Sequence, residues 1–207
     1  MKYMNIQIDV IENSMSLPPG FFCSLCKEDD WSFIIKMHAF LEAQLSTVIA
    51  DHLNKEELSS IITQIPMSDT KYGKVKIAYS LNIISKEMLT YIKSLSEMRN
   101  KLVHNIENVN FDINDDFKSK DKQAQQSQYN NFGFALKDPE YEETNNRKIF
   151  NNSPKKAIHL SGLAIVQELY LKKIEAKSSN LERKSGSLAL QIFQQEEKSK
   201  QLGQTSK

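Results

Sequence analysis

"EDDWSFIIKMHAFLEAQLSTVIADHLNK", residues 28–55, decides the fold class. Trp31, Ile34, Ile35, His38, Leu41, Leu45, Val48, Ile49 and Leu53 recur at three- and four-residue steps. That rhythm places them on one wide face of an α-helix. Asp29 or Asp30 stands where an N-cap belongs, and acidic side chains there favour the positive end of the helix dipole. A helix so apolar along one side must be covered by other elements.

The neighbouring segments supply more helices. "KEELSSIITQI" (55–65) reads as a short one ending before Pro66, because the residue before proline avoids helical angles. After the loop "PMSDTKYG", "KVKIAYSLNII" (74–84) sets Val75, Ala78, Leu81 and Ile84 on one side. "SKEMLTYIKSLSEMRNKLVHN" (85–105) opens on Ser85, with Met88 where a capping box would carry Glu, so the cap is partial. Met88, Ile92, Leu95 and Leu102 keep helical rhythm behind it. Farther on, in "PKKAIHLSGLAIVQELYLKKIEAK" (154–177), Ser153 is placed to cap and Pro154 suits the first helical position. Ile158, Leu163, Val166, Leu169, Tyr170 and Ile174 form its apolar face. No segment makes a credible sheet. The expected architecture is all-α, a four- to five-helix bundle of ~120 residues with decorations.

Three stretches fall outside that pattern. "MNIQIDVI" (4–11) alternates apolar and polar residues, reading as a short strand or an extended arm, and "ENSMSLPPG" (12–20) breaks regular structure. Residues 1–20 are therefore expected to be an N-terminal arm and residues 21–175 the helical domain. Residues 106–152 are rich in Asn, Asp, Gln and Lys with isolated aromatics, too long for an ordinary connection, and are expected to be a polar insertion ordered only in part. Residues 176–207 are a polar, basic tail with one apolar knot, "LALQIF" (188–193).

Composition bounds the function. Charged residues are 26% and hydrophobic ones 40% of 207, ordinary for a globular chain with polar additions. No apolar run approaches the ~18–20 residues of a membrane span, and the acidic N-terminus lacks the features of a signal peptide, so a cytoplasmic setting without a membrane partner is expected. The net charge of +1 conceals an asymmetry. Residues 1–146 hold 15 Lys+Arg against 21 Asp+Glu, or −6, and residues 147–207 hold 12 against 5, or +7. A basic end suits phosphate backbone, but its lysines alternate with Glu and Gln and lack interleaved aromatics, which favours a solvated tail. Cys23 and Cys26 form one C-x-x-C with no second ligand pair at zinc spacing, so they read as two reduced cysteines near a helix start. His38 reads as a core or interface residue, His52 as a cation at a helix C-terminus, and His159 as solvent-facing. No pair of histidines has metal-ligand spacing, and no metal or cofactor is expected.

Chemistry concentrates at "EMRNKLVHN" (97–105). At ~100° per residue, Asn100 and His104 lie within ~40° of each other, whereas Arg99 and His104 are ~140° apart. Arg99 and His104 would therefore share a site only through a helix end, a kink or a second subunit. The residue types suit metal-free RNA cleavage. A histidine titrating near neutrality takes the 2′-hydroxyl proton or returns one to the leaving oxygen. An arginine holds the phosphate bidentately, and an asparagine fixes a tautomer or a phosphate oxygen. Glu97 lies one residue off that face. Read from the residues alone, such a helix end is more often a dipole-satisfying cap than a catalytic site.

"RNKLVHN" resembles the R-x(4–6)-H motif of the HEPN superfamily, with the polar Asn100 directly after Arg99. The wider stretch 73–112 is similar to the mannitol operon repressor (MltR-like) branch: a lysine-bearing helix, here "KVKIAYSL", precedes a helix ending in R-N-x-x-x-H, and "HAFLEAQLSTVIADHL" (38–53) fits that branch's first helix. The resemblance covers about residues 29–112, under half of the chain. It implies an all-α bundle that homodimerises so that two motifs share a cleft, and a metal-independent endoribonuclease acting on RNA in a toxin–antitoxin or phage-defence setting, with an antitoxin or regulatory protein as a possible further partner. Arg99 and His104 would be catalytic and Asn100 supporting. The branch also implies the alternative of a non-catalytic transcriptional regulator or interaction module, although no helix-turn-helix is recognisable. The insertion and the basic tail depart from a minimal HEPN domain.

Overall fold

A computed structural model describes residues 7–69, 71–136 and 143–204. Parts of the expected arm (1–6), insertion (137–142) and tail (205–207) lie outside the described residues. Every regular element among the described residues is helical.

The central element is α3 (Asp30–Leu53), the helix expected from the opening stretch. Asp29 caps it by accepting from Ser32 N–H at 2.8 Å, and Asn54, at φ 51°, closes it in the left-handed region that asparagine tolerates. Phe33, Ile34, Met37, Leu41, Leu45, Val48 and Ile49 are all fully buried. By length and composition α3 could cross a membrane, but 61% of its most apolar window is buried inside this fold, as in a core helix.

Against α3 pack α4 (Ser59–Gln64), α5 (Lys74–Ser80), α6 (Lys86–Val103) and the first half of α10 (Pro154–Gln204). Ser85 caps α6 through Met88 N–H at 3.3 Å, as the partial box predicts. The Tyr91 hydroxyl donates to the Ile158 carbonyl at 2.9 Å and ties α6 to α10. The two helices meet there over Gly162, where an added Cβ would lie 2.9 Å from the Tyr91 hydroxyl and 2.9 Å from Met37 Cε.

Two of the three outlying stretches differ from expectation. Residues 8–14 form a helix, α1 (Ile8–Ser14), rather than a strand or extended arm. Ile11 is fully buried, and the buried Glu12 carboxylate accepts from Gly20 N–H (2.7 Å) and Phe22 N–H (2.9 Å), holding the start of α2 (Phe21–Leu25). The polar stretch 106–152 is also more ordered than expected. It contains a 3-10 turn (Ile106–Asn110), α7 (Ile113–Lys118), α8 (Lys122–Phe132) and α9 (Glu143–Asn152). Ile113, Phe117, Tyr129, Phe132 and Phe150 join the core, with Phe150 edge-on to both Phe117 (5.6 Å) and Tyr129 (5.7 Å). Asp30 makes the joint. One carboxylate oxygen accepts from Ile113 N–H at 2.6 Å and the other pairs with Lys155 at 2.7 Å, so α3, α7 and α10 meet on one buried charge.

The tail is helical through Gln204, a continuation of α10, and residues 181–195 are exposed on all sides.

Candidate functional site

The candidate residues sit on the last turns of α6. Its inner face, Tyr91, Ile92, Leu95, Ser96 and Leu102, is buried, which fixes the rotation of the helix and so the direction of everything on its outer face. Arg99 is half-buried, while Asn100 and His104 are exposed. Arg99 Nη1 donates to Asn100 Oδ1 at 3.0 Å, so these two are brought together. His104 is the C-cap, its N–H reaching the Asn100 carbonyl at 3.3 Å. Its backbone stays near helical angles (φ −83°, ψ −8°), so the helical phase runs through it. Arg99 and His104 therefore keep their ~140° separation within one chain. The end of the helix is pinned from outside. Asn108 Nδ2 donates to the Lys101 carbonyl at 2.9 Å, and Lys101 pairs with Asp116 of α7 at 3.4 Å.

Near Arg99, whose charge acts on His38, lies a polar cluster that no sequence motif announces. His38 of α3 is buried, as expected, and its Nε2 meets Ser96 Oγ at 3.1 Å. Glu42, one turn farther along α3, has a carboxylate oxygen 3.9 Å from His38 Nδ1 and the other 3.2 Å from Lys74 of α5. Lys74 is itself buried, and its ammonium also donates to the Thr63 carbonyl at 3.0 Å. Burial pushes the His38 pKa below its ordinary value. Glu42 opposes that shift, and the Arg99 and Lys74 charges reinforce it. None of His38, Ser96, Glu42 and Lys74 was among the expected site residues, His38 being expected only as a core or interface residue. The only sequence signal for Glu42 is its i,i+4 spacing from His38, and nothing local marks Lys74 as buried.

Ser96, His38 and Glu42 have the residue types of a nucleophile, a base and an orienting acid. Their hydrogen bonds argue against that chemistry. The Ser96 hydroxyl donates to the Ile92 carbonyl at 2.9 Å, so its proton is committed to the backbone and it accepts from His38 Nε2–H. It is 1% exposed, out of reach of a substrate, and 3.9 Å is too long for a hydrogen bond between His38 and Glu42. The cluster is a mostly buried polar joint between α3, α5 and α6.

No family model matches the chain, and neither a curated protein nor a solved structure matches it.

The other expectations fall as follows. His52 is exposed in the last turn of α3. His159 is a correction: it is buried, not solvent-facing, with Nε2 on the Phe22 carbonyl at 2.9 Å. Cys23 is exposed on α2 and Cys26 half-buried at its end, both as free thiols. Among the described residues no cluster of three or more His, Cys, Asp and Glu is placed to hold a metal ion.

Proposed function

We propose that this chain is a metal-independent endoribonuclease of the HEPN kind, related to the MltR-like branch and acting on RNA in a toxin–antitoxin or phage-defence setting within the cytoplasm. The observation that carries the reading is the arrangement at the end of α6: an exposed histidine closing the helix, with an arginine–asparagine pair (3.0 Å) one turn before it. His104 is the general acid/base that moves the 2′-hydroxyl proton, its ring exposed at the helix end. Arg99 clamps the phosphate and offsets the charge that develops on its oxygens, and Asn100 holds the guanidinium plane.

Within one chain Arg99 and His104 diverge, so the reading requires a homodimer in which the two α6 ends face each other and the Arg99 of one copy approaches the His104 of its partner. The same divergence favours the second reading, a non-catalytic regulator or interaction module in which Arg99 covers the buried cluster and His104 is only a helix cap.

Incubating the purified protein with total RNA and a chelator, beside Arg99→Ala and His104→Ala variants of unchanged melting temperature, separates the two. The ribonuclease reading expects cleavage that survives the chelator and disappears in both variants. Cleavage that persists in either variant rules out the proposed roles. RNA left intact, together with equal growth of cells expressing wild type and variants, would give the regulator reading.

A further inference from the structure

The distal part of α10 carries a seam that the domain leaves uncovered. Ile174, Leu181 and Leu188 recur every seven residues, and Ile192 follows four after Leu188. All four are exposed, Leu181 at 69%. At ~100° per residue they fall within ~40° of one another, and Ser178 and Ser185 fill the same stripe between them. The domain packs mainly on another side of the helix, although Lys177, Leu181 and Lys184 border a cavity against Asp51 and Asn54. Ala176 is buried, and Asn180 Nδ2 donates to the Asp51 carbonyl at 2.8 Å; they lie ~120° and ~80° round from Leu188, the nearest seam residue.

A lone helix in water has little reason to persist over the exposed stretch 181–195, especially with Gly186 in its interior, which costs about 1 kcal/mol relative to alanine. A seven-residue apolar repeat is the pattern that winds two helices together. Ile174, Leu181 and Leu188 then occupy one core position, and Ser178, Ser185 and Ile192 the other. Flanking charges set the direction. In a parallel pair, Lys177 of one chain faces Glu182 of the other, and symmetry makes the contact twice. An antiparallel pair would oppose lysine to lysine and glutamate to glutamate.

We propose that the occupant of this seam is a second copy of the chain, joined through residues 174–192 as a parallel two-stranded coiled coil. Serines at two core positions keep the pair weak and reversible, while fixing its register. Leu190 and Phe193 lie outside the seam. The inference does not depend on the ribonuclease reading, since the seam is built from α10 and uses no residue of α6.

The test uses the full chain with Cys23→Ser and Cys26→Ser, and no RNA. Its mass in solution is followed over a dilution series against the 23.8 kDa protomer. A reversible dimer is expected, weakened in Leu181→Asp/Leu188→Asp with the melting temperature of the bundle unchanged. Ser178→Cys and Ser185→Cys, made separately, should each form a disulfide-linked dimer on mild oxidation, whereas Arg183→Cys, on the outer face, should not. In an antiparallel pair at most one of the two serine positions lies opposite its own copy, so cross-linking at only one overturns the proposal. So does a chain that stays monomeric throughout, or cross-linking through Ser178→Cys and Ser185→Cys that the double aspartate substitution leaves intact.

Discussion

Asp29 and Asp30 are adjacent in sequence, and replacing each with alanine should cost very different amounts. Asp29 is exposed and makes one capping bond, to Ser32 N–H at 2.8 Å, so Asp29→Ala should cost about 1 kcal/mol. Asp30 is 9% exposed, and its carboxylate meets both a buried backbone donor, Ile113 N–H, and the mostly buried Lys155 ammonium. Asp30→Ala orphans both. Breaking a buried pair from one side costs about 3–5 kcal/mol. Lys155 keeps the Glu28 carbonyl and the Phe33 ring, 5.5 Å from its nitrogen, which places the loss at the low end, about 3 kcal/mol. At roughly 2–4 °C per kcal/mol for a chain of this size, the melting temperature should fall by about 6–12 °C, against about 2–4 °C for Asp29→Ala. Asp30→Asn retains an acceptor for Ile113 and should fall between the two. Thermal and urea denaturation followed by circular dichroism measure these differences, and hydrogen exchange at the Ile113 amide reports whether the α3–α7 joint opens first. Equal losses at the two aspartates, or an Ile113 amide no less protected in Asp30→Ala, would refute the assignment of Asp30 as the joint of α3, α7 and α10.

Two further outcomes follow from the packing. His38 and His159 are both held below the ordinary histidine pKa, chiefly by burial. Arg99 and Lys74 add to the effect at His38, and Lys155 adds to it at His159 against the opposing Phe22 carbonyl. The unfolded chain therefore binds more protons as pH drops below about 6.5, and stability falls with it, by at most about 2.7 kcal/mol per pH unit if both histidines titrate together. Urea denaturation from pH 7 to pH 5 should show this decline, and His38→Gln/His159→Gln should flatten it; a wild type whose stability is level across that range contradicts the burial argument. Gly162→Ala should lower stability by about 1–2 kcal/mol despite alanine's better helix propensity, because the Tyr91 hydroxyl must leave the Ile158 carbonyl to make room. Gly186→Ala, whose Cβ meets nothing within 4 Å, should not lower it, and the pair of melting curves checks both.

The long helices were legible because their apolar residues keep a strict rhythm and their caps are spelled out locally. Asp29 before α3 and Ser85 before α6 are examples. The stretch 106–152 was obscured by averaging. Its polar composition suggests disorder, yet each short helix commits one or two large side chains to the core: Ile113 and Phe117 from α7, Tyr129 and Phe132 from α8, Phe150 from α9. Two apolar residues per helix give no measurable period, so the only local signals were the caps. Asp112 accepts from Asp115 N–H at 2.9 Å, and Asp121 accepts from Ala124 N–H at 2.8 Å. His159 was misplaced for the opposite reason. A single apolar face puts it in solvent, but α10 is enclosed on most sides near residues 157–166, where Ala157, Ile158, Ser161, Ala164, Ile165 and Val166 are all buried. Amphipathic phase locates a side chain only where a helix has a wet side.

The candidate site divides the same way. Arg99, Asn100 and His104 are contiguous in sequence, so their residue types and helical angles could be read directly. The cluster near Arg99 draws His38 and Glu42 from α3, Lys74 from α5 and Ser96 from α6, and no local pattern joins them. That cluster bears on what Arg99 does. A cation near a histidine whose pKa is lowered chiefly by burial, with Glu42 already engaged by Lys74, adds to the positive potential there. If Arg99 served only to cover the cluster, Arg99→Lys would be as good as wild type in every assay, since a lysine supplies the same charge and stem. If it clamps phosphate, the planar fork matters and lysine should restore little of the cleavage lost in Arg99→Ala, while leaving the bundle's melting temperature unchanged. The two roles thus separate in one variant measured twice.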